Sequence, residues 1–375
     1  MLRLKSSLLP YLLALGLTLA TTVKAADEPG MDDGPYVKVI DQQGWQARWL
    51  CQGKLIEQNL SAQQNQLASV CAYPFTITLR PALNLANSLK TAPRYRAEKI
   101  AALSDIHGQF DLMLELLQAN KVIDQAGNWS FGKGHLVLAG DVFDRGPKVT
   151  EALWLLYNLE AQAQQAGGAV HMLLGNHEVM TLANDLRYLN KKYQDNAAQL
   201  ASSYPALYDQ NTVLGNWLRS KPVMTIINDH LFLHAGVDAD LLKYGKDIAA
   251  INQQMQRGLA WSKPEIKNDE TLAYLFGSQG PIWFRGYFKN EAQTPEVLQQ
   301  VLSHYQLQRI VVGHTTFDAI YQHYQGKVIS IDSDIKSGKR AQVLFIEHGR
   351  ILRADRFGVQ SEIPNWQAQT ATKPD

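Results

Sequence analysis

Five apolar runs in this chain each end on a cluster of polar, chemistry-bearing residues. KIAAL (Lys99–Leu103) runs into SDIHG, HLVLAG (His135–Gly140) into DVFDRG and AVHMLLG (Ala169–Gly175) into NHE. LFL (Leu231–Leu233) runs into HAGVD, and RIVVG (Arg309–Gly313) into His314 and Thr315. Short aliphatic runs bounded by Gly, Asp and Asn read as buried strands. Between them, Phe110–Ala119 sets Leu112, Leu116 and Leu117 at helical spacing, and a second helical stretch covers about 147–165. Strands alternating with helices imply βαβ units, and open sheets of that kind collect their ligands at the carboxyl ends of the strands.

A second β series at 223–227, 231–236, 309–314, 327–332 and 341–347 extends the expectation to an α/β fold with two sheets packed as a β-sandwich flanked by helices. The polar, helix-prone stretch 181–220 breaks the strand rhythm and suggests a helical cap within a main domain of residues 86–358. Before it, YVKVI, WQARWL and PFTITL indicate a small N-terminal β appendage, which with an acidic leader over 26–34 covers residues 26–85. A frayed, flexible tail is expected over 359–375.

The first 25 residues read as a segment removed before folding. Arg3 and Lys5 precede the apolar run Leu8–Ala20, and small residues end at Ala25, the layout of a secretory signal peptide cleaved there. The alternative is an uncleaved anchor, although the run falls short of the ~18 apolar residues of a membrane span. Cleavage implies a periplasmic or secreted protein with no stable membrane association. It would also remove Arg3, Lys5 and Lys24, taking Lys+Arg from 36 to 33 against 35 acids, a net charge of −2. That balance argues against a nucleic-acid partner, which calls for a basic excess. Cys51 and Cys71 are the two cysteines; in an exported chain they can pair across a 20-residue separation, or stand as unrelated buried thiols.

The polar clusters carry metal-ligand chemistry. Asp105 and His107 can converge on one ion where a strand turns into a loop, and Gly108 lets the backbone approach. Asp141, at a strand end, can bridge two cations, since a carboxylate offers two oxygens. Asn176 offers a neutral oxygen to a site already rich in carboxylates, and His234 and His314 offer the missing nitrogens. His177 need not be a ligand: with Asp144 beside it the imidazolium is favoured, which suits a general acid. Arg145 and Arg285 can grip phosphate oxygens through paired hydrogen bonds. Two divalent metals a few Å apart can hold a phosphoryl group and ionise the attacking water. The residues therefore point to hydrolysis of phosphate esters.

GDVFDRG, GNHE and the preceding DIHG, in this order, resemble the phosphoprotein phosphatase family of calcineurin-like metallophosphoesterases, and within it the Shewanella-like protein phosphatase branch. The resemblance spans about 99–347. It implies a first metal held by Asp105, His107 and Asp141, and a second held by Asp141, Asn176, His234 and His314. It also implies His177 with Asp144 as proton donor, and Arg145 with Arg285 on the phosphate. The two divalent ions would be Mn, Fe or Zn, with a metal-bridging hydroxide attacking. Substrates would be a phosphorylated protein, phosphotyrosine included, or a small aryl or alkyl phosphate. Ser104 stands where the family often has Gly, and SIDSDIKSG lacks the aromatic-bearing loop of eukaryotic members. A dinucleoside tetraphosphatase shares the motifs, and a catalytically inactive metal- and phosphate-binding module is the alternative outside the enzymes.

Overall fold

The computed structural model describes residues 32–40, 44–89, 94–245, 247–289 and 295–367. The signal-peptide reading of 1–25 and the final residues 368–375 lie outside them. Among the described residues, sixteen strands follow in chain order: β1 (Asp33–Ile40), β2 (Gly44–Cys51), β3 (Lys54–Ser61), β4 (Gln66–Leu67), β5 (Ile77–Thr78), β6 (Lys99–Leu103), β7 (His135–Leu138) and β8 (Ala169–Met172). The second half adds β9 (Met224–Ile227), β10 (His230–Leu233), β11 (Arg309–Val312), β12 (Tyr321–His323), β13 (Val328–Ser330), β14 (Gln342–Glu347), β15 (Arg350–Asp355) and β16 (Gln360–Glu362).

Two sheets build the centre. One has six strands in the order β16-β15-β14-β6-β7-β8, with β6, β7 and β8 parallel; the other has five in the order β12-β13-β11-β10-β9, with β10, β11 and β13 parallel. Side-chain alternation explains why they stack. Ile100 and Ala102 of β6 and Leu344 and Ile346 of β14 share one buried cluster with Phe232 of β10, Val311 of β11 and Ile329 of β13. The intervening Ala101, Leu103, Val343, Phe345, Ile310 and Val312 face a second cluster that includes the helices. Burial on both faces is what makes these strands continuous apolar runs. The sandwich expectation holds.

Helix Val149–Gln165 lies over the sheet with Leu153, Trp154, Leu156 and Leu159 wholly buried. The 181–220 stretch forms helices Lys191–Gln199 and Val213–Arg219 with a 3-10 turn at Pro205–Tyr208. Its Tyr208 ring lies 4.9 Å from Phe143 in the DVFDRG loop and 6.0 Å from Tyr36 of β1. The β1-β2-β3 sheet thus joins the same core through Trp49, Leu50 and Tyr36. Cys51 and Cys71 form a disulfide that ties the end of β2 to the segment before β5.

Two boundaries differ from expectation. The leader read over 26–34 gives way to β1 at Asp33, whose wholly buried carboxylate accepts from the Tyr36 hydroxyl at 2.6 Å and the Asn196 amide at 3.1 Å. The tail read from 359 onward forms β16, paired with β15, and Ile363 is buried in the inter-sheet core. Its polar sequence, QSE, hid it because an edge strand exposes its side chains. No described helix is long and apolar enough to cross a membrane.

Candidate active site

The register of the parallel strands assembles the site. Leu103, Leu138 and Met172 pair across β6, β7 and β8, so the loops bearing Asp105 and Asp141 and the helix that opens on Asn176 leave the sheet at one level. In the other sheet Leu233 pairs with Val312, which sets His234 and His314 side by side. The ladder continues into the loops: Asp105 N donates to Gly140 O at 3.0 Å and His107 N to Asp141 O at 2.9 Å, while Gly313 N donates to His234 O at 2.8 Å. A Cβ on Gly108 would meet the Gly146 carbonyl oxygen at 2.6 Å, so the DIHG and DVFDRG loops touch only because both positions lack a side chain.

Six non-glycine residues here hold a left-handed backbone: Asp105, His107, Asp141, Asp144, Arg145 and His314, with φ between 46° and 69°. Each such position costs of order 1–3 kcal/mol and persists only where its surroundings over-determine it, typically at functional sites. The strain falls on the residues singled out for chemistry.

Their side chains converge. Ligand atoms of His107, Asp141 and His177 lie within 4.8 Å of one another, as do those of Asp141, His234 and His314, so Asp141 belongs to both groups. Asp105 Oδ1 lies 3.8 Å from His107 Nε2, and its other oxygen accepts from Ser104 Oγ at 2.6 Å and His314 N at 2.9 Å. Two imidazoles are oriented from behind: His107 Nδ1 donates to Phe143 O and His234 Nδ1 to Ala139 O, each at 2.7 Å. A carbonyl only accepts, so Nδ1 carries the proton in each ring, a common orientation for metal ligands.

These donors fit divalent cations better than each other. Around His234 Nε2 stand Asn176 Oδ1 at 2.9 Å, His314 Nδ1 at 3.1 Å and Asp141 Oδ2 at 3.2 Å. One proton cannot satisfy four lone-pair atoms; a cation can. His314 Nε2 is buried without a hydrogen-bond partner. Without an ion the titrations are contorted. Burial, reinforced by the Asp332 charge, lifts Asp105 to about 7. Burial takes His107 down to about 3, whereas for His234 the Asp141 carboxylate outweighs burial and lifts the ring to about 9.

His177 stands apart. Its Nδ1 meets Asp144 Oδ2 at 2.6 Å, and its Nε2 is 3.8 Å from Asp141 Oδ2. Burial opposes the charged ring, but Asp141 and Asp144 outweigh it and raise its pKa above the ordinary value. The turn holding both carboxylates is fixed by Glu178, whose buried oxygens accept from the N–H groups of Asp141, Val142, Phe143 and Gly175 at 2.7–3.3 Å.

Asp105, His107, Asp141, Asn176, His177 and His314 line one cavity of about 250 Å³ together with Arg145 and Arg285. Asp144 and His234 sit wholly buried behind its wall. Arg145 is set by Tyr188 and Asn190: Arg145 N donates to Tyr188 O at 3.0 Å and Asn190 Nδ2 donates to Arg145 O at 2.8 Å. Arg285 donates through Nη1 to His314 O and to Thr315 Oγ1, each at 3.2 Å. Four further lining residues escaped the sequence reading: Tyr188, Trp283, Thr316 and Lys336. Tyr188 and Lys336 lie in segments without a metal-ligand pattern, and only the folded chain brings them here.

A family model described as calcineurin-like phosphoesterase matches residues 98–316, more than half of the chain. The chain belongs to the calcineurin-like phosphoesterases. A solved structure of a cold-active protein-tyrosine phosphatase from a psychrophilic Shewanella species is 37% identical, covers 88% of this chain and 99% of that one, and superposes with a TM-score of 0.82. A curated relative from Schizosaccharomyces pombe, itself uncharacterised, is 30% identical over 64% of this chain and 75% of its own length. Shewanella-like protein phosphatase 2 of Arabidopsis thaliana is 25% identical over 65% of this chain and 73% of its own. This phosphoesterase is thus a metal-dependent phosphatase of the Shewanella-like branch.

Proposed function

We propose that this phosphoesterase is an exported, dinuclear-metal phosphomonoesterase that removes phosphate from proteins, phosphotyrosine included. The observation that carries it is Asp141, one carboxylate common to two ligand clusters, with His177 held by Asp144 beside it. In this reading Asp105, His107 and Asp141 hold one divalent cation, and Asp141, Asn176, His234 and His314 hold the other. Mixed oxygen and nitrogen donors suit Mn, Fe or Zn. Such a pair supplies an acidified water and offsets the charge of the phosphoryl group.

The chain's own groups do the rest. Arg145 and Arg285 orient the phosphoryl oxygens. His177 gives a proton from Nε2 to the leaving-group oxygen, because Nδ1 is committed to Asp144. Both cysteines are spent in the disulfide, so no cysteinyl phosphoenzyme intervenes. The likeness to a protein-tyrosine phosphatase supports aryl phosphate substrates. Export is supported by the basic-apolar start of the chain and by the Cys51–Cys71 bond, a feature of oxidising compartments.

The test is release of phosphate from phosphotyrosine and phosphoserine peptides by the metal-loaded protein, beside diadenosine tetraphosphate, with metal content measured on the same sample. Turnover of the phosphopeptides with two metals per chain is expected. Preference for the dinucleotide, or no turnover above the metal-stripped control, would overturn the reading.

A further inference from the structure

The cavity holds one cation that the reading above does not use. Lys336 lines it beside Arg145, Arg285, Asp105 and Asp141, and its side chain is 22% exposed there. Its placement is built. The Asp332 carboxylate, wholly buried, accepts from Thr316 Oγ1 at 2.8 Å, from Lys336 Nζ at 3.1 Å and from the Asp334 N–H at 3.1 Å. Lys336 Nζ also donates to Thr316 Oγ1. The segment carrying it is one 3-10 turn, Ile335–Ser337, flanked by left-handed Asp334 and Gly338 and anchored by the wholly buried Ile335. The side-chain amide of Gln109 donates to the Lys336 carbonyl at 3.2 Å, tying that turn to the DIHG loop.

An ammonium has three donors, and Thr316 and Asp332 account for two of them. We propose that Lys336 is a third cationic contact for the phosphoryl group, and that with Arg145 and Arg285 it selects dianionic phosphomonoesters over monoanionic diesters. Neutralising Asp332 alone would not require a side chain that reaches the cavity. The Thr316 hydroxyl and the Asp334 N–H share that carboxylate with Lys336, and the lysine charge still stands among the groups that line the cavity. Each added cation favours the ester carrying the extra negative charge. This inference rests on the phosphomonoesterase reading above.

The test compares p-nitrophenyl phosphate with bis(p-nitrophenyl) phosphate, which share a leaving group and differ in charge. Lys336→Met should lower kcat/KM for the monoester roughly ten- to a hundredfold, the loss of one charge-assisted hydrogen bond, and leave the diester nearly unchanged. The inhibition constant of inorganic phosphate should rise in parallel with the monoester loss. Equal losses on both esters, or an unchanged monoester, would overturn the proposal. Should Lys336→Met misfold because Asp332 is left without its cation, the Asp332→Asn/Lys336→Met pair removes both charges and answers the same question. A wild-type chain that releases no phosphate would overturn the phosphatase reading instead. Calorimetric binding of inorganic phosphate to the metal-loaded wild type and variant would then still decide the role of Lys336.

Discussion

Nδ1 of His177, in the first turn of helix Asn176–Leu182, lies 2.6 Å from Oδ2 of Asp144 in the DVFDRG loop, 33 residues earlier in sequence. That contact leaves Nε2 as the only ring nitrogen able to pass a proton to a substrate. His177→Asn should cut turnover of phosphoserine about a hundredfold or more, with a much smaller effect on p-nitrophenyl phosphate, whose leaving group needs little protonation. Steady-state kcat on the two substrates checks this; equal losses would remove the general-acid role.

The same contact sets a pH dependence. Burial pulls the His177 pKa down, while Asp141 and Asp144 outweigh it and hold the pKa above the ordinary value, so the acid form persists to higher pH. Asp144→Asn removes one of the raising charges, and the pKa must fall. The alkaline limb of the kcat profile for phosphoserine should therefore move to lower pH in the variant. An unmoved limb would mean that another group governs it.

Asp141 is the carboxylate common to both ligand clusters. Asp141→Asn should lower metal content at both positions rather than one, with loss of activity on every phosphate ester. Elemental analysis of dialysed protein measures this directly. Chelation of the wild type should reproduce the loss, and added divalent metal should reverse it.

Glu178 carries no chemistry, yet its carboxylate gathers four backbone N–H groups from the turns that present Asp141 and Asn176. Glu178→Gln turns an acceptor into a donor facing N–H groups, at a cost on the order of 3 kcal/mol. Urea denaturation should show that loss, together with weaker metal retention.

Glu151 provides a stability test remote from the metals. Burial, opposed by Lys192 and reinforced by Asp33, lifts its pKa to about 7 from an ordinary 4.5. The folded state therefore binds a proton that the unfolded chain releases, and the associated stability is complete below about pH 4.5 and lost as pH rises through about 7. Thermal midpoints of Glu151→Gln should vary less over that window than those of the wild type. Parallel curves would show that Glu151 does not titrate there.

Much of this was legible in the sequence because burial writes a simple pattern. Lys99–Leu103 and Phe110–Ala119 begin and end where their apolar spacing implies, since the strand is covered on both faces and the helix on one. The strands that escaped notice lie toward sheet edges or carry polar faces: Lys54–Ser61, Tyr321–His323, Arg350–Asp355 and Gln360–Glu362. Around the site, DIHG, DVFDRG and NHE were readable because each joins a strand end to ligand atoms. Lys336 was not, because its meaning depends on the cavity it lines and on Thr316, 20 residues away, although Asp332 stands only four residues before it. Tyr188 was hidden for a similar reason, its backbone carbonyl receiving the Arg145 N–H across the insertion.

The last strand, Gln360–Glu362, has a consequence out of proportion to its length. It occupies the outer rim of the six-stranded sheet and brings Ile363 into the inter-sheet core. A chain trimmed after Gly358 would bare the hydrogen-bonding groups of Arg350–Asp355 and leave an apolar hole beneath them. An open rim of that sort recruits a neighbour's backbone, so such a shortened protein should self-associate more readily than the full-length chain.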